Sequence, residues 1–314
     1  MKTVLLGTSS MECSRLAYGC WRIAGAWEGA EFTAEREVRG KQAVMAAYEA
    51  GITLFDHADI YSDGMGETVF GKVLKEIPGM REKVVISSKC GILKAGKPNP
   101  NSPYRYDFSA GHIITSCEQS LKRLGIETLD VYLLHRPDYL ANPEEIASAF
   151  SRLKQSGKVR HFGLSNARPT FFSMVQKTCG VPLIVNQVEI NLLHITPFTD
   201  GTIDQCLAEK VTPMAWSPLA GGRLSYSGPV ELNDPHHAHR LKIKETMDWI
   251  ARDYQVSRTV IALAWLLKHP GNIVPIVGST TPESIKELAG AVDLEISRED
   301  WYRLLEAAHG QRLP

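Results

Sequence analysis

A repeated change of period constrains this chain more than any other feature. Short β-branched or apolar runs recur at Leu16–Gly19, Thr53–Asp56, Val84–Lys89 and Val131–His135, then at His161–Ser165, Leu183–Val188, Thr212–Trp216 and Ile273–Val277. Helix-period segments stand between them: Ala34–Ala50, Glu67–Lys75, Ala110–Leu124, Pro143–Gln155, Pro169–Lys177, Thr202–Glu209 and the pair Ile243–Tyr254 and Ser257–Lys268. Strands that alternate with helices build a parallel sheet. Eight of them with no repeated doubly wound half predict an α/β fold of the (β/α)8 TIM-barrel type, one domain over 1–314. An open Rossmann sheet is the rival, and it wants Gly-x-Gly-x-x-Gly after its first strand. The nearest match, Gly64-Met65-Gly66-Glu67-Thr68-Val69, lacks the third glycine and follows a loop. The first sixteen residues, with TVLLGTSSMECSRL, read as a β-hairpin plug across the barrel bottom, and Pro282–Ala289 and Arg298–Ala308 as extra C-terminal helices. Ser297 and Thr281-Pro282 are helix-start signals, and Gly51 and Gly125 are helix-end signals.

Composition excludes several classes. The 35 basic and 35 acidic residues cancel, so no charge surplus calls for nucleic acid or an anionic membrane. The N-terminal apolar run is too short for a signal-peptide core, and no stretch approaches a membrane span. The six cysteines form no Cys-x-x-Cys pair, which points to a reduced, cytoplasmic setting. Two loops are long, Gly91–Ser109 and Leu219–His239, and long loops in a compact domain are usually functional or mobile. The second contains Pro235-His236-His237-Ala238-His239. With no Cys or carboxylate at ligand spacing, it reads as a solvated loop rather than a metal site.

Polar residues collect where the strands end. In a barrel the C-terminal strand ends form the active-site rim. Here they carry Asp56, Lys89, His135, Ser165-Asn166, Gln187, Trp216-Ser217 and Gly278-Ser279-Thr280. Neighbouring strands lie about 4.8 Å apart, so Asp56, Lys89, His135 and the nearby Tyr61 can share one pocket. Lys89 beside the phenol should pull Tyr61 below its usual pKa of about 10, with Asp56 holding Lys89 charged. Such a phenol is a general acid for a carbonyl oxygen gaining charge, and His135 can hydrogen-bond that oxygen. Taken singly, these residues have bland readings as a salt bridge, a surface tyrosine and a turn histidine; their meeting at adjacent strand ends favours catalysis. Asp59 and Asp63 beside Tyr61 are assigned to solubility or loop turns.

The segments GITLFDHADIYSDGMGE, VVISSKCG, LDVYLLHRPD, GKVRHFGLSN, NQVEI, WSPLAGGRL and PIVGST, in this order, resemble the aldo-keto reductase family from about Arg15 to the C-terminus. The resemblance implies a barrel that binds a nicotinamide cofactor and transfers hydride to an aldehyde or ketone. It implies Tyr61 as general acid, Asp56 and Lys89 as the pair that tunes it, and His135 as the group that orients the carbonyl. Ser165, Asn166 and Gln187 would hold the carboxamide, with Trp216 stacked on the nicotinamide ring. Ser217, Pro218, Leu219, Ala220, Gly221, Gly222, Arg223 and Leu224 would wrap the pyrophosphate, and the glycines would let backbone N–H groups approach it. Gly278, Ser279 and Thr280 would face the adenosine phosphate, and Glu287 the adenine. Cys20 and Trp21 would touch the cofactor and Trp21 and Trp27 the substrate, with Tyr61 and His135.

One departure bears on the cofactor. Many family members carry Arg six residues after the equivalent of Gly278, to clamp the 2′-phosphate of NADP; here Ser284 stands there, and Leu288 replaces a common Asn. Thr280, Ser284 and Arg223 remain as possible cradle groups, so the expectation is NADP(H), with NAD(H) as the alternative. The partner expected is a small carbonyl compound, in a fairly apolar, aromatic pocket, acted on by a monomer or small homo-oligomer. A second reading is a cofactor-binding, redox-sensing regulatory subunit with little turnover. A third is a barrel enzyme using Gly-Ser-Thr-Thr as a phosphate site for a phosphorylated substrate. It leaves Gln187 and Trp216 without a role.

Overall fold

Residues 1–25, 29–225, 230 and 233–313 are described in the computed structural model. Strands β1 (Thr3–Leu5) and β2 (Glu12–Ser14) pair antiparallel as the expected hairpin. The barrel strands are β3 (Ala17–Gly19), β4 (Leu54–Asp56) and β5 (Val85–Cys90), then, after the small pair β6 (Ile92–Leu93) and β7 (Arg105–Tyr106), β8 (Leu129–Leu134), β9 (Val159–Ser165), β10 (Leu183–Glu189), β11 (Thr212–Trp216) and β12 (Val274–Val277). Each pairs in parallel with its neighbour, and β12 closes on β3. The closed parallel barrel rules out the open Rossmann sheet. The helices are α1 (Ala34–Glu49), α2 (Met65–Glu76), α3 (Ala110–Leu124), α4 (Pro143–Gln155), α5 (Pro169–Thr178), α6 (Thr202–Glu209), α7 (His237–Asp253), α8 (Arg258–Leu267), α9 (Pro282–Ala289) and α10 (Arg298–His309).

The period-two alternation of a strand decides what faces the barrel axis. On β5, Ser87 and Lys89 turn inward to Asp56, while Ser88 turns outward and donates to Glu67 of α2 at 2.6 Å. Glu67 is in turn held by Arg123 of α3 at 2.6 Å, so a buried polar tie joins strand and helices. Lower in the barrel the inward residues are apolar: Leu54, Val85, Val131, Ile184 and Val274 pack with Leu6 of the hairpin turn. Leu6 is fully buried there. Gly7, at φ 54°, lies so close to β10 that a Cβ would stand 2.6 Å from the Ile184 carbonyl oxygen. Its N–H donates to Thr212 Oγ1 at 2.7 Å. The hairpin therefore seals the N-terminal end and leaves the polar rim at the other.

The helix signals act as their chemistry requires. Ser297 Oγ accepts from Asp300 N at 3.0 Å, Pro282 takes the first turn of α9, and Gly125 ends α3 at φ 68°. Two loop expectations are corrected. Gly91–Ser109 contains the β6–β7 pair, two residues per strand, below the length at which periodicity is visible. The histidine run is not a solvated loop. His237 opens α7, and His239 Nε2 donates to the Ala308 carbonyl at 2.9 Å, docking α7 on α10. That docking is extended by Trp265 and Trp301, stacked at 5.6 Å, each indole N–H donating to the other's carbonyl. Among the described residues no helix is long and apolar enough to cross a membrane.

Candidate active site

β4 ends at Asp56, but its pairing with β5 runs on. His57 N donates to Ser87 O at 2.9 Å and Asp59 N to Lys89 O at 3.0 Å. The chain then turns, with Tyr61 N donating to Ala58 O at 3.1 Å. Ser62, Asp63 and Gly64 follow in left-handed conformation, at φ 50°, 52° and 87°. Such φ values strain a non-glycine residue, at about 1–2 kcal/mol each. The strain is offset where Asp63 is pinned: it accepts from Gly29 N at 3.0 Å and pairs with Lys94 at 3.2 Å and Lys97 at 3.0 Å. Asp63 is therefore a turn clamp. This reversal carries the phenol of Tyr61 back over Asp56 and Lys89.

Asp56, Lys89, Tyr61 and His135 do meet. Lys89 is fully buried, and its Nζ donates to Asp56 Oδ2 at 2.6 Å and to His57 O at 2.7 Å. Asp56 Oδ1 accepts from Ser87 Oγ at 2.8 Å and from Gln187 Nε2 at 2.9 Å. The Tyr61 ring centroid lies 5.1 Å from Lys89 Nζ, and the ammonium hydrogen-bonds the phenol. The His135 ring meets Tyr61 edge-on at 5.8 Å, and its buried Nδ1 has no partner among the described residues.

The electrostatics correct one expectation. Burial raises the Tyr61 phenol above its ordinary value; Lys89 works against that and does not overcome it. Burial works to lower Lys89, but Asp56 and Tyr61 outweigh it and hold the ammonium above its ordinary range. Burial, then Lys89 and Arg136, push His135 well below the usual imidazole value, so its ring is neutral. The site thus holds a protonated phenol, a charged lysine and a neutral histidine. Behind it, His57 is pushed down to about 3 by burial and packs edge-on against Phe70 at 4.6 Å. Asp59 is no solubility group: burial first, then Glu67, push its carboxyl up to about 8.

A cavity of about 500 Å³ opens above these groups. Asp56, Tyr61, His135, Ser165, Asn166, Gln187 and Trp216 line it, as do Trp21, Ser217, Pro218, Leu219, Gly221, Gly222, Gly278 and Ser279. Asn166, at φ 56°, accepts from Trp216 Nε1 at 3.0 Å and donates to His135 O at 3.0 Å, so it locks the indole to the histidine strand. Ser165 Oγ donates to Gln187 O at 2.9 Å.

Other expected residues stand elsewhere. Cys20 is fully buried, and Ala220 nearly so, and neither lines the cavity. Arg223 folds back, its Nε donating to Ala220 O at 2.8 Å. Gly222 N is committed to Leu219 O at 2.9 Å. Ser284 Oγ accepts from Thr281 Oγ1 at 2.8 Å, and neither Ser284 nor Glu287 lines the cavity. Thr280 lines a neighbouring cavity. Trp27 lies outside the described residues. The sequence reading missed Arg22, Ile60, Tyr104 and Arg136 in the lining and Ser87 beneath it. Ser87 was findable, since it shares Lys89's face by strand period. Arg136 directly follows His135, its guanidinium 5.4 Å from the Trp216 ring. The wall is mainly apolar and carries Trp21, Tyr61, Tyr104 and Trp216, as expected, with two arginines set into it.

The lining fits an extended dinucleotide. An indole fixed by Asn166 stands at one end. Among the described residues the Gly221, Ser279 and Thr280 N–H groups have no protein acceptor, which leaves donors for phosphate oxygens.

Comparison with known proteins agrees. Residues 15–309 match the Aldo/keto reductase family. The chain is 37% identical over 310 residues to a 6-dehydroglucose reductase of Agrobacterium fabrum, covering 98% of each. It is 36% identical to the oxidoreductase YdhF of Escherichia coli, covering 100% of each. Among solved structures, a thermostable aldo-keto reductase, Tm1743, superposes with a TM-score of 0.82 at 27% identity, covering 98% of this chain and 100% of that one.

Proposed function

The chain belongs to the aldo/keto reductase family, NAD(P)H-dependent oxidoreductases of carbonyl compounds, and on that premise we propose that Tyr61 protonates the carbonyl oxygen of a hydroxylated, sugar-type aldehyde, with NADP(H) as the preferred cofactor. One observation carries the reading: Asp56, Tyr61 and His135 line one cavity, with Lys89 buried against Asp56 at 2.6 Å. A bound nicotinamide supplies the hydride. Tyr61 donates its proton as the oxygen gains negative charge. The Lys89 ammonium stabilises the phenolate left behind, and Asp56 keeps that ammonium charged and aimed. Neutral His135 offers a ring N–H to the same oxygen and fixes the carbonyl's direction. Gln187, tied to Asp56, and Asn166, tied to Trp216, hold the cavity wall in place.

The protonation states set a pH dependence. Tyr61 is raised above its ordinary value of about 10, so it stays a competent acid across the neutral range. His135 is neutral from well below its ordinary value of about 6.5. The rate of reduction at saturating substrate is therefore flat from about pH 6 to about pH 9 and falls only as the phenol ionises above about 10. A kcat–pH profile with a basic limb near pH 8 contradicts this.

The substrate class rests on Arg136 and Tyr104, which line the cavity near His135, and on the relative named 6-dehydroglucose reductase. A site that hydrogen-bonds substrate hydroxyls discriminates against analogues lacking them. Steady-state oxidation of NADPH tests it. Glyceraldehyde should exceed propanal in kcat/KM by about tenfold or more, and Arg136→Ala should narrow the gap. Equal or reversed preference in the wild type overturns the substrate reading.

A further inference from the structure

A second cavity, about 480 Å³, adjoins the first and is walled by Arg22, Arg36, Arg39 and Thr280. Two close approaches build it. At Gly40, in the middle of α1, a Cβ would stand 1.9 Å from the Ile23 carbonyl oxygen, so only glycine lets α1 press on the turn after β3. Gly25, at φ 68°, lets that turn lie against the Arg36 side chain, where a Cβ would stand 2.9 Å from Cγ. The first turns of α1 thereby bring Arg36 and Arg39 beside Arg22 and the turn that leads into α9.

The charge in this cavity is largely unspent. Arg36 Nη1 donates to the Glu31 carbonyl at 2.7 Å and lies 3.5 Å from its carboxylate. The Arg22 guanidinium rests on the Trp21 ring at 5.2 Å, a contact that leaves its in-plane N–H groups available. Among the described residues neither Arg22 nor Arg39 forms an ion pair. Glu35 feels the charge of Arg39, but three guanidiniums against Glu31 and Glu35 keep the cavity cationic. Thr280 adds a hydroxyl and an N–H that has no protein acceptor among the described residues.

The two cavities are neighbours. Trp21 and Arg22 line both, and Ser279 in the first is followed directly by Thr280 in the second. We propose that this arginine cavity binds a phosphate monoester dianion, the 2′-phosphate of NADP(H), so that α1 supplies the cations missing at Ser284. The proposal rests on the reading that the neighbouring cavity takes a nicotinamide dinucleotide. Planar guanidiniums match phosphate oxygens in pairs, and hydrogen bonds to charged groups are the strong ones.

Calorimetric titration with NADPH and with NADH tests it. The wild type should bind NADPH about tenfold or more tightly than NADH, and Arg36→Ala/Arg39→Ala should bring the two Kd values within about threefold of each other. Arg39→Glu should reverse the preference. Titration with 2′,5′-ADP against 5′-AMP should give the same ratios without a nicotinamide. An unchanged Kd ratio in the double variant overturns the proposal, as does an equal rise for both cofactors. A loss confined to glucose 6-phosphate binding in the presence of NADPH would assign the cavity to a substrate and overturn it too. Binding of neither nucleotide by the wild type overturns the dinucleotide reading itself and this proposal with it.

Discussion

Tyr61→Phe lowers kcat for carbonyl reduction about a thousandfold, and the Kd for the reduced cofactor stays within about twofold of wild type. The substitution removes one oxygen and keeps the ring. The ring still packs edge-on against His135, so the cavity wall survives. Of the four groups, the phenol is the neutral one acidic enough to give a proton to an oxygen gaining charge. Lys89 is tied to Asp56 and the His57 carbonyl beneath it, and neutral His135, whose ring N–H is a weaker acid than the phenol, stays as a hydrogen-bond donor. General acid catalysis by a positioned side chain is worth about 10²–10⁴-fold, and the phenol is the acid here. Steady-state kinetics with a reactive aldehyde, alongside cofactor titration, checks both halves. Turnover within a few-fold of wild type removes Tyr61 from its role.

Lys89→Met is expected to cost about 3–5 kcal/mol of stability as well as most of the activity. The Asp56–Lys89 pair is buried, and removing the ammonium leaves a buried carboxylate with, among the described residues, Ser87 Oγ and Gln187 Nε2 as donors. Neutralising both partners removes that uncompensated charge. Asp56→Asn/Lys89→Met should therefore regain much of the lost stability while remaining inactive. Denaturant melts of the single and double variants measure the difference. A double variant as unstable as Lys89→Met would mean that packing of the lysine stem, rather than charge pairing, sets the cost. A Lys89→Met enzyme that keeps its activity would remove the lysine from proton transfer.

Much of this was legible in the sequence because it depends on short-range periodicity. Strands of five to seven residues such as β8, β9, β10 and β11 announce themselves by β-branched or apolar runs, and the polar residues at or near their ends mark the rim. Caps at Ser297 and Gly125 are local chemistry and were readable for the same reason. What was not legible depends on the third dimension. The β6–β7 pair is too short to have a period, and the helical start at His237 has no capping side chain to announce it. The direction of the Tyr61 shift was misjudged because Lys89 is visible in the sequence and burial is not. Arg36 and Arg39, three residues apart on one helix face, carry no local mark of a binding role. Only the close approach at Gly40 turns that face toward the turn after β3.

The most direct test uses the reduced cofactor with both nicotinamide C4 hydrogens replaced by deuterium, mixed with the purified protein and glyceraldehyde, and reads the alcohol product by mass spectrometry. The account predicts one deuterium, on the carbon that was the carbonyl, formed by the wild type and nearly absent with Tyr61→Phe. Alcohol without deuterium, or tight cofactor binding with no alcohol from any aldehyde, contradicts it; the latter result would instead support a regulatory, cofactor-sensing role.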